Sequence, residues 1–258
     1  MPTGFTMVSA KSCSTDDGCT NLLKHRPEPR KLLDSDTTEM TKIYLARHGQ
    51  DEDNASGILN GHRNRPLTEI GVTQAHALSE KVKTAGLRFD AIYSSPLQRA
   101  SRTAEIVVGG LVGGAVAGTG KGTEVIRIDD LIERDFGIMT GTLTSEISER
   151  CSGPDDTLAT DTVTYFLRPE GGETFPDLLI RADGVIRRVL ECHPAGGSSS
   201  VLLVTHGDFG KMLYAAFYKL EWRDVLRQFH FGNSELLLLS EDSSPEGAHL
   251  FNIQQHNV

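Results

Sequence analysis

The chain has 258 residues, 38% of them hydrophobic and 24% charged, enough for one large α/β domain or two small ones. Lys and Arg number 26 against 35 Asp and Glu, and the formal net charge of −9 argues against broad binding to nucleic acid or to an anionic membrane. No apolar run approaches the ~20 residues of a membrane span, and the N-terminus lacks the apolar region of a secretory signal.

Residues 1–40 are polar, carry Pro27 and Pro29, and show no sustained periodicity, so they are expected to form a disordered leader. The first stretch, "MPTGFTMVSAKSC", is rich in Ser and Thr but has no Arg, which leaves a transit peptide open. The folded domain is expected over 41–258, with Met40 as a second possible start. Cys13, Cys19, Cys151 and Cys192 are scattered without a Cys-x-x-Cys pair and are read as reduced thiols of a cytoplasmic protein. Asn54-Ala55-Ser56 has the form of a glycosylation sequon, without meaning in a chain that is not secreted.

From residue 42 strands and helices alternate. Lys42–Ala46 reads as a strand. "PLTEIGVTQAHALSEKVKTAG" reads as a helix capped by Thr68, striped by Ala75, Leu78, Val82 and Ala85, and ended by Gly86. "FDAIYSS" is a strand, followed by a helix with Pro96 in its first turn. "EVIRIDDL" is a strand, and Thr174 to about His193 is a helix with Leu178, Ala182, Val185, Ile186 and Val189 inward. "SSVLLVTHG" is a buried strand, Asp208–Leu220 a helix, and "SELLLLS" and "HLFNI" closing strands. Repeated βα units predict an α/β fold: a three-layer α/β/α sandwich around a mostly parallel sheet. Seven glycines between Gly109 and Gly122 invite a P-loop reading. It fails, because Ala115 stands where the first Gly is needed and Gly122 where Ser or Thr is needed. The segment 109–122 is read as a surface loop.

Two histidines occupy matching places. His48 follows one strand and precedes Gly49; His206 follows another and precedes Gly207. Residues just past the carboxyl ends of parallel strands line the ligand crevice, and Arg47 and Arg99 fall at the same level. A metal site would not place two arginines beside its cation. A phosphoryl group suits the set: guanidinium forks grip its oxygens, and an imidazole nitrogen is a competent nucleophile.

"ARHGQDEDN", "GHRNRPLTEIGVTQA", "SSPLQRASRTAE", "LIERDFGIMTG", "GGET" and "LLVTHG" stand in an order and spacing that resemble the histidine phosphatase superfamily. This is the family of cofactor-dependent phosphoglycerate mutases and fructose-2,6-bisphosphatases, and the resemblance covers roughly 41–240. It implies a phosphoglycerate mutase-like fold. It implies His48 as the nucleophile that becomes phosphohistidine, with Arg47, Asn54, Arg99, His206 and Gly207 around the phosphoryl oxygens. It implies Glu133 as the acid that protonates the leaving oxygen and then activates water. The residues alone leave Asp129, Asp130 and Asp135 open for that role. A working acid near neutral pH needs a raised pKa, so Glu133 is expected in a water-poor pocket. His206 is expected to gain from protonation beside phosphate oxygens. No metal and no other cofactor is implied.

A mutase must retain its product, which calls for a second cationic pocket. Residues 142–170 hold Arg150 and Arg168 against Glu146, Glu149, Asp155, Asp156, Asp161 and Glu170. Asp53 stands where mutases resembling this chain carry Trp. Net hydrolysis of a small phosphorylated metabolite, a sugar bisphosphate or a phosphoglycerate, is therefore expected, with a phosphoglycerate mutase as the alternative. "LIERDFGIMTG" with "LRPEGGETFPDLLIRADGV" resembles the TIGAR-type fructose-2,6-bisphosphatases most. Relatives usually carry one acid or amide and then Ser or Thr after the His-Gly pair, where this chain has "QDED". Arg63, Arg65 and Arg150 are expected at the substrate rim, with the QDED carboxylates either near the mouth or turned to solvent. A non-catalytic phospho-ligand binder is the reading from another class, and a monomer or homodimer is expected.

Overall fold

The computed structural model describes residues 41–111, 124–151, 153, 155–194 and 199–251. The expected leader, Cys13, Cys19 and most of the Gly-rich segment lie outside them.

Five strands form the central sheet in the order β3-β2-β6-β1-β7: β1 (Lys42–Arg47), β2 (Ala91–Ser94), β3 (Val125–Arg127), β6 (Ser200–Thr205) and β7 (Leu236–Leu239). β1, β2, β3 and β6 are parallel, and β7 runs antiparallel to β1 at the edge. The side-chain alternation of a strand sorts the core into two halves. Ile43, Leu45, Tyr93, Val201, Leu203, Leu237 and Leu239 face one layer, made by α5 (Phe175–Cys192), α6 (Gly207–Tyr218) and α7 (Trp222–Gln228). Tyr44, Ala46, Ile92, Leu202, Val204 and Leu236 face the other, made by α2 (Glu69–Thr84) and α3 (Gln98–Gly110). Each fully buried Leu or Ile contributes roughly 1.5–3 kcal/mol relative to an exposed one. The result is a three-layer α/β/α sandwich.

Helix boundaries follow local chemistry. The Thr68 hydroxyl accepts the Gly71 N–H at the start of α2, and Gly86 ends it at φ +66°. Thr174 and Asp177 form a reciprocal capping box on α5. Elsewhere the structure corrects the expected elements. Pro96 lies before the N-cap Leu97 of α3 rather than inside its first turn. The "EVIRIDDL" strand stops at Arg127, because residues 129–131 turn into a 3-10 helix. "HLFNI" makes one bridge, His249 to Leu237, with 252 and 253 outside the described residues. A two-stranded hairpin, β4 (Thr157–Ala159) with β5 (Thr164–Phe166), was not foreseen. It packs near the short helix α4 (Ile147–Arg150) around Phe136, Met139, Ile147 and Phe166. A four-residue helix α1 (Glu52–Ala55) follows β1. No described helix is long and apolar enough to cross a membrane.

Candidate active site

The β1–β6 register runs from Lys42 opposite Ser200 to Arg47 opposite Thr205. One residue further on, both strands end in histidine, so the register itself sets His48 beside His206. Their ring centroids are 5.0 Å apart. β2 lies on the other side of β6, with Ser94 opposite Val204, and delivers Ser95 and then Arg99 to the same level.

Gly49 and Gly71 let this loop close on α2. A Cβ at Gly49 would lie 2.3 Å from the Gly71 carbonyl oxygen, and one at Gly71 2.0 Å from that of Gln50. At Gly207 an added Cβ would meet Arg47 at 3.4 Å, an ordinary contact, so the glycine after His48 is held by a close backbone approach and the one after His206 is not.

The hydrogen bonds define both imidazoles. His48 Nδ1 lies 2.6 Å from the Gly49 carbonyl oxygen, which can only accept, so the proton is on Nδ1 and Nε2 carries the lone pair. Arg99 Nε, fully buried, donates toward His48 Nε2 at 3.3 Å and His206 Nδ1 at 3.1 Å. His206 Nδ1 is therefore an acceptor, and its Nε2 donates to Ser95 Oγ at 2.7 Å. Burial, then the Arg99 charge, holds both rings well below the usual imidazole pKa. Among the protein's own groups His206 is thus neutral, and its expected protonation needs an added anion.

Arg99 donates its two terminal nitrogens to the carbonyls of Arg63 (2.6 Å) and Gly61 (2.9 Å). Its expected fork is anchored to backbone, and Nε is the edge turned to the histidines. Arg47 donates to the Phe231 carbonyl at 2.8 Å and lines the cavity. Asn54 lines it too, with its N–H donated to Asp51 Oδ1.

Glu133 is buried, and the loop carrying it has no ladder of its own. Arg181 of α5 donates to the carbonyls of Asp130, Ile132 and Glu133, and His62 Nε2 lies 2.8 Å from the Glu133 carbonyl oxygen. The Glu133 carboxylate caps α6: it accepts the N–H groups of Gly207 (3.0 Å), Asp208 (3.3 Å), Phe209 (3.0 Å) and its neighbour Arg134 (2.9 Å). Burial and the Asp208 charge raise its pKa, while these N–H groups pull it down; the net direction is upward. The Gly207 N–H expected for phosphate thus serves Glu133 here. Arg134, the residue after it, is buried as well. Its Nε pairs with Asp208 at 2.9 Å, and its guanidinium lies 4.2 Å from the Phe166 and Phe175 ring centres and 4.9 Å from that of Phe136.

Arg47, His48, Asn54, Glu133, Arg134, Gly207, Asp208 and Lys211 line a cavity of about 860 Å³ together with the apolar and aromatic Ile58, Leu59, Phe136, Ile147, Tyr165 and Phe166, while Arg99 and His206, both fully buried, are not among its lining residues.

The expected cationic rim is not part of it. Arg63 is bound to Asp53 through Nε at 2.7 Å, and Arg65 approaches the same carboxylate at 3.5 Å. Arg150 sits on α4, half-exposed, paired with Glu146. Each guanidinium answers a nearby acid, and none lines the cavity. The QDED carboxylates divide. Glu52 is exposed, Asp53 is buried under Arg63 and Arg65, and Asp51 is fully buried, accepting from Asn60 at 2.8 Å and lying 3.4 Å from Arg99 Nε. The burial of Asp51 and Arg134 and the contact of Ser95 with His206 escaped the sequence reading. Lys211 had a signal: it interrupts "DFGKML", a run whose other long side chains face the core.

The profile of the Histidine phosphatase superfamily (branch 1) matches residues 43–254. The chain belongs to this superfamily. It is 28% identical over 204 residues to a 2,3-bisphosphoglycerate-dependent phosphoglycerate mutase of Xanthobacter autotrophicus, covering 78% of this chain and 93% of that one. It is 30% identical over 186 residues to the mutase of the same name from Brucella melitensis, covering 72% and 85%. Among solved structures, a mycobacterial glucosyl-3-phosphoglycerate phosphatase in complex with VO3 superposes with a TM-score of 0.63 at 26% identity, covering 81% of this chain and 95% of that one. Members similar to this chain thus carry phosphatase and mutase names alike.

Proposed function

We propose that the protein is a phosphomonoester hydrolase working through a phosphohistidine on a small phosphorylated metabolite. The observation that carries this reading is the pair of neutral histidines joined by Arg99 Nε, with the His48 proton fixed on Nδ1. His48 Nε2 attacks phosphorus, an N–P bond forms, and the bond to the leaving oxygen breaks. Arg47, Arg99, Asn54 and His206 stabilise the charge gathered on the phosphoryl oxygens, so the reaction needs no metal. In this reading the phosphoryl group takes the Gly207 N–H from Glu133. The freed carboxylate, raised in pKa, takes up a proton from solvent and gives it to the leaving oxygen. In the second half it takes a proton from water, which attacks phospho-His48 and restores the free imidazole.

Hydrolysis is favoured over transfer by the rim. With Arg63 and Arg65 bound to Asp53 and Arg150 bound to Glu146, none of these three arginines is left to hold a departing product. Phosphoglycerate-type substrates are favoured by the names of the similar proteins; a fructose-2,6-bisphosphatase would need to hold a second phosphate with these same few cations. The mutase reading draws its support from the curated relatives. One experiment separates the readings: 3-phosphoglycerate with catalytic 2,3-bisphosphoglycerate. Release of inorganic phosphate as the main outcome supports hydrolysis, and 2-phosphoglycerate formed faster than phosphate overturns it. Turnover of p-nitrophenyl phosphate in EDTA checks that no metal is required.

A further inference from the structure

Lys211 is a buried cation that the proposed chemistry does not use. It lies on α6, 7% exposed, and lines the cavity. Its Nζ has three N–H donors, and its one hydrogen bond among the described residues is to Tyr165 Oη at 2.5 Å. An ammonium so deeply buried is costly unless further acceptors reach it. The other cations lining the cavity are committed: Arg47 stands beside His48 at the phosphoryl end, and Arg134 is bound to Asp208 and to the Phe166 carbonyl.

We propose that Lys211, held by Tyr165, is a specificity-determining residue that binds a single carboxylate on the leaving group, so that the enzyme selects phosphomonoesters of small hydroxy acids. The inference rests on the phosphatase reading and names the substrate class for it. A carboxylate carries one negative charge and two acceptor oxygens, matching one ammonium with donors to share. A second phosphate would bring about two charges to this ammonium, where Arg47 adds positive charge but the Asp208, Glu133 and Glu235 carboxylates oppose it. The rest of the wall, Ile58, Leu59, Phe136, Ile147 and Phe166, suits the apolar face of a carbon chain. Burial lowers the Lys211 pKa to about 8, against the pull of Asp208.

The test compares 3-phosphoglycerate with glycerol 3-phosphate, which differ in one carboxylate, and uses p-nitrophenyl phosphate as a third substrate. The full chain should prefer 3-phosphoglycerate at least tenfold in kcat/KM, chiefly through KM. In K211M the preference should vanish, and in K211R most of it should return. Should K211M fail to fold, competitive inhibition of the unaltered protein decides: glycerate should inhibit at least tenfold more tightly than glycerol. Equal loss on all three substrates in K211M would make Lys211 merely structural. Turnover without preference would remove this inference and leave hydrolysis standing. No turnover of any of the three would remove both.

Discussion

The two strand ends that meet at the cavity carry the same dipeptide, His-Gly, and use it in opposite ways. At the end of β1, His48 gives its Nδ1 proton to a main-chain carbonyl and presents the Nε2 lone pair. At the end of β6, His206 accepts at Nδ1 and gives its Nε2 proton to the Ser95 hydroxyl. Identical side chains at matching positions thus become an electron-pair donor and a polar support. The second-partner bond of each ring decides which, not the sequence motif.

Replacing the two histidines in turn is the strongest way to break this comparison. H48A should reduce turnover to background and abolish an acid-labile phosphoenzyme, since no neighbouring group offers a nitrogen at that point. H206A should lose on the order of 10²–10³-fold, the scale of one transition-state donor, yet still form the phosphoenzyme. A phosphoenzyme in H48A, or its loss in H206A alone, would exchange the two roles.

The acid comes next. E133Q should slow substrates with poor leaving groups by ~10²-fold, and p-nitrophenyl phosphate less, because that leaving group needs little protonation. Equal small losses on both would move the acid role to another carboxylate. The pH profile sharpens the same point. Both imidazoles have pKa values lowered by burial, so they remain neutral as pH falls through 6.5. The acid limb of kcat/KM due to the nucleophile should therefore lie below pH 6.5. An alkaline limb set by the raised Glu133 should disappear in E133Q. The smallest effect belongs to S95A, which frees the His206 tautomer and should cost about tenfold or less. His48 has no counterpart to this variant, because its partner is backbone.

What the sequence made legible follows from locality. β1 and β6 were readable as apolar runs, and Thr68 and Thr174 as caps, because a strand's alternation and a cap's hydrogen bond lie within a few residues. The convergence of Arg47, His48, Arg99 and His206 was readable because parallel strands end at one level. Glu133 could not be separated from Asp129, Asp130 and Asp135 by residue type, since its position depends on Arg181 gripping three carbonyls from a distant helix. The rim was misread for the opposite reason. Local acids, Asp53 and Glu146, neutralise Arg63, Arg65 and Arg150 in ways a charge count does not show. Arg134 is the clearest miss, because nothing in "IERDF" announces a guanidinium enclosed by three phenylalanine rings from separate segments.

The mutual contact of Gly49 and Gly71 has a consequence for the order of assembly. The loop after β1 and the first turn of α2 occupy each other's space down to the backbone, so neither can reach its final path before the other arrives. The His48 imidazole takes its bearing from the Gly49 carbonyl, inside that interlock. During refolding, helical structure and sheet pairing can recover first, while activity should wait for α2 to dock. An alanine at Gly71, far in sequence from either histidine, should lengthen that lag as well as lower stability.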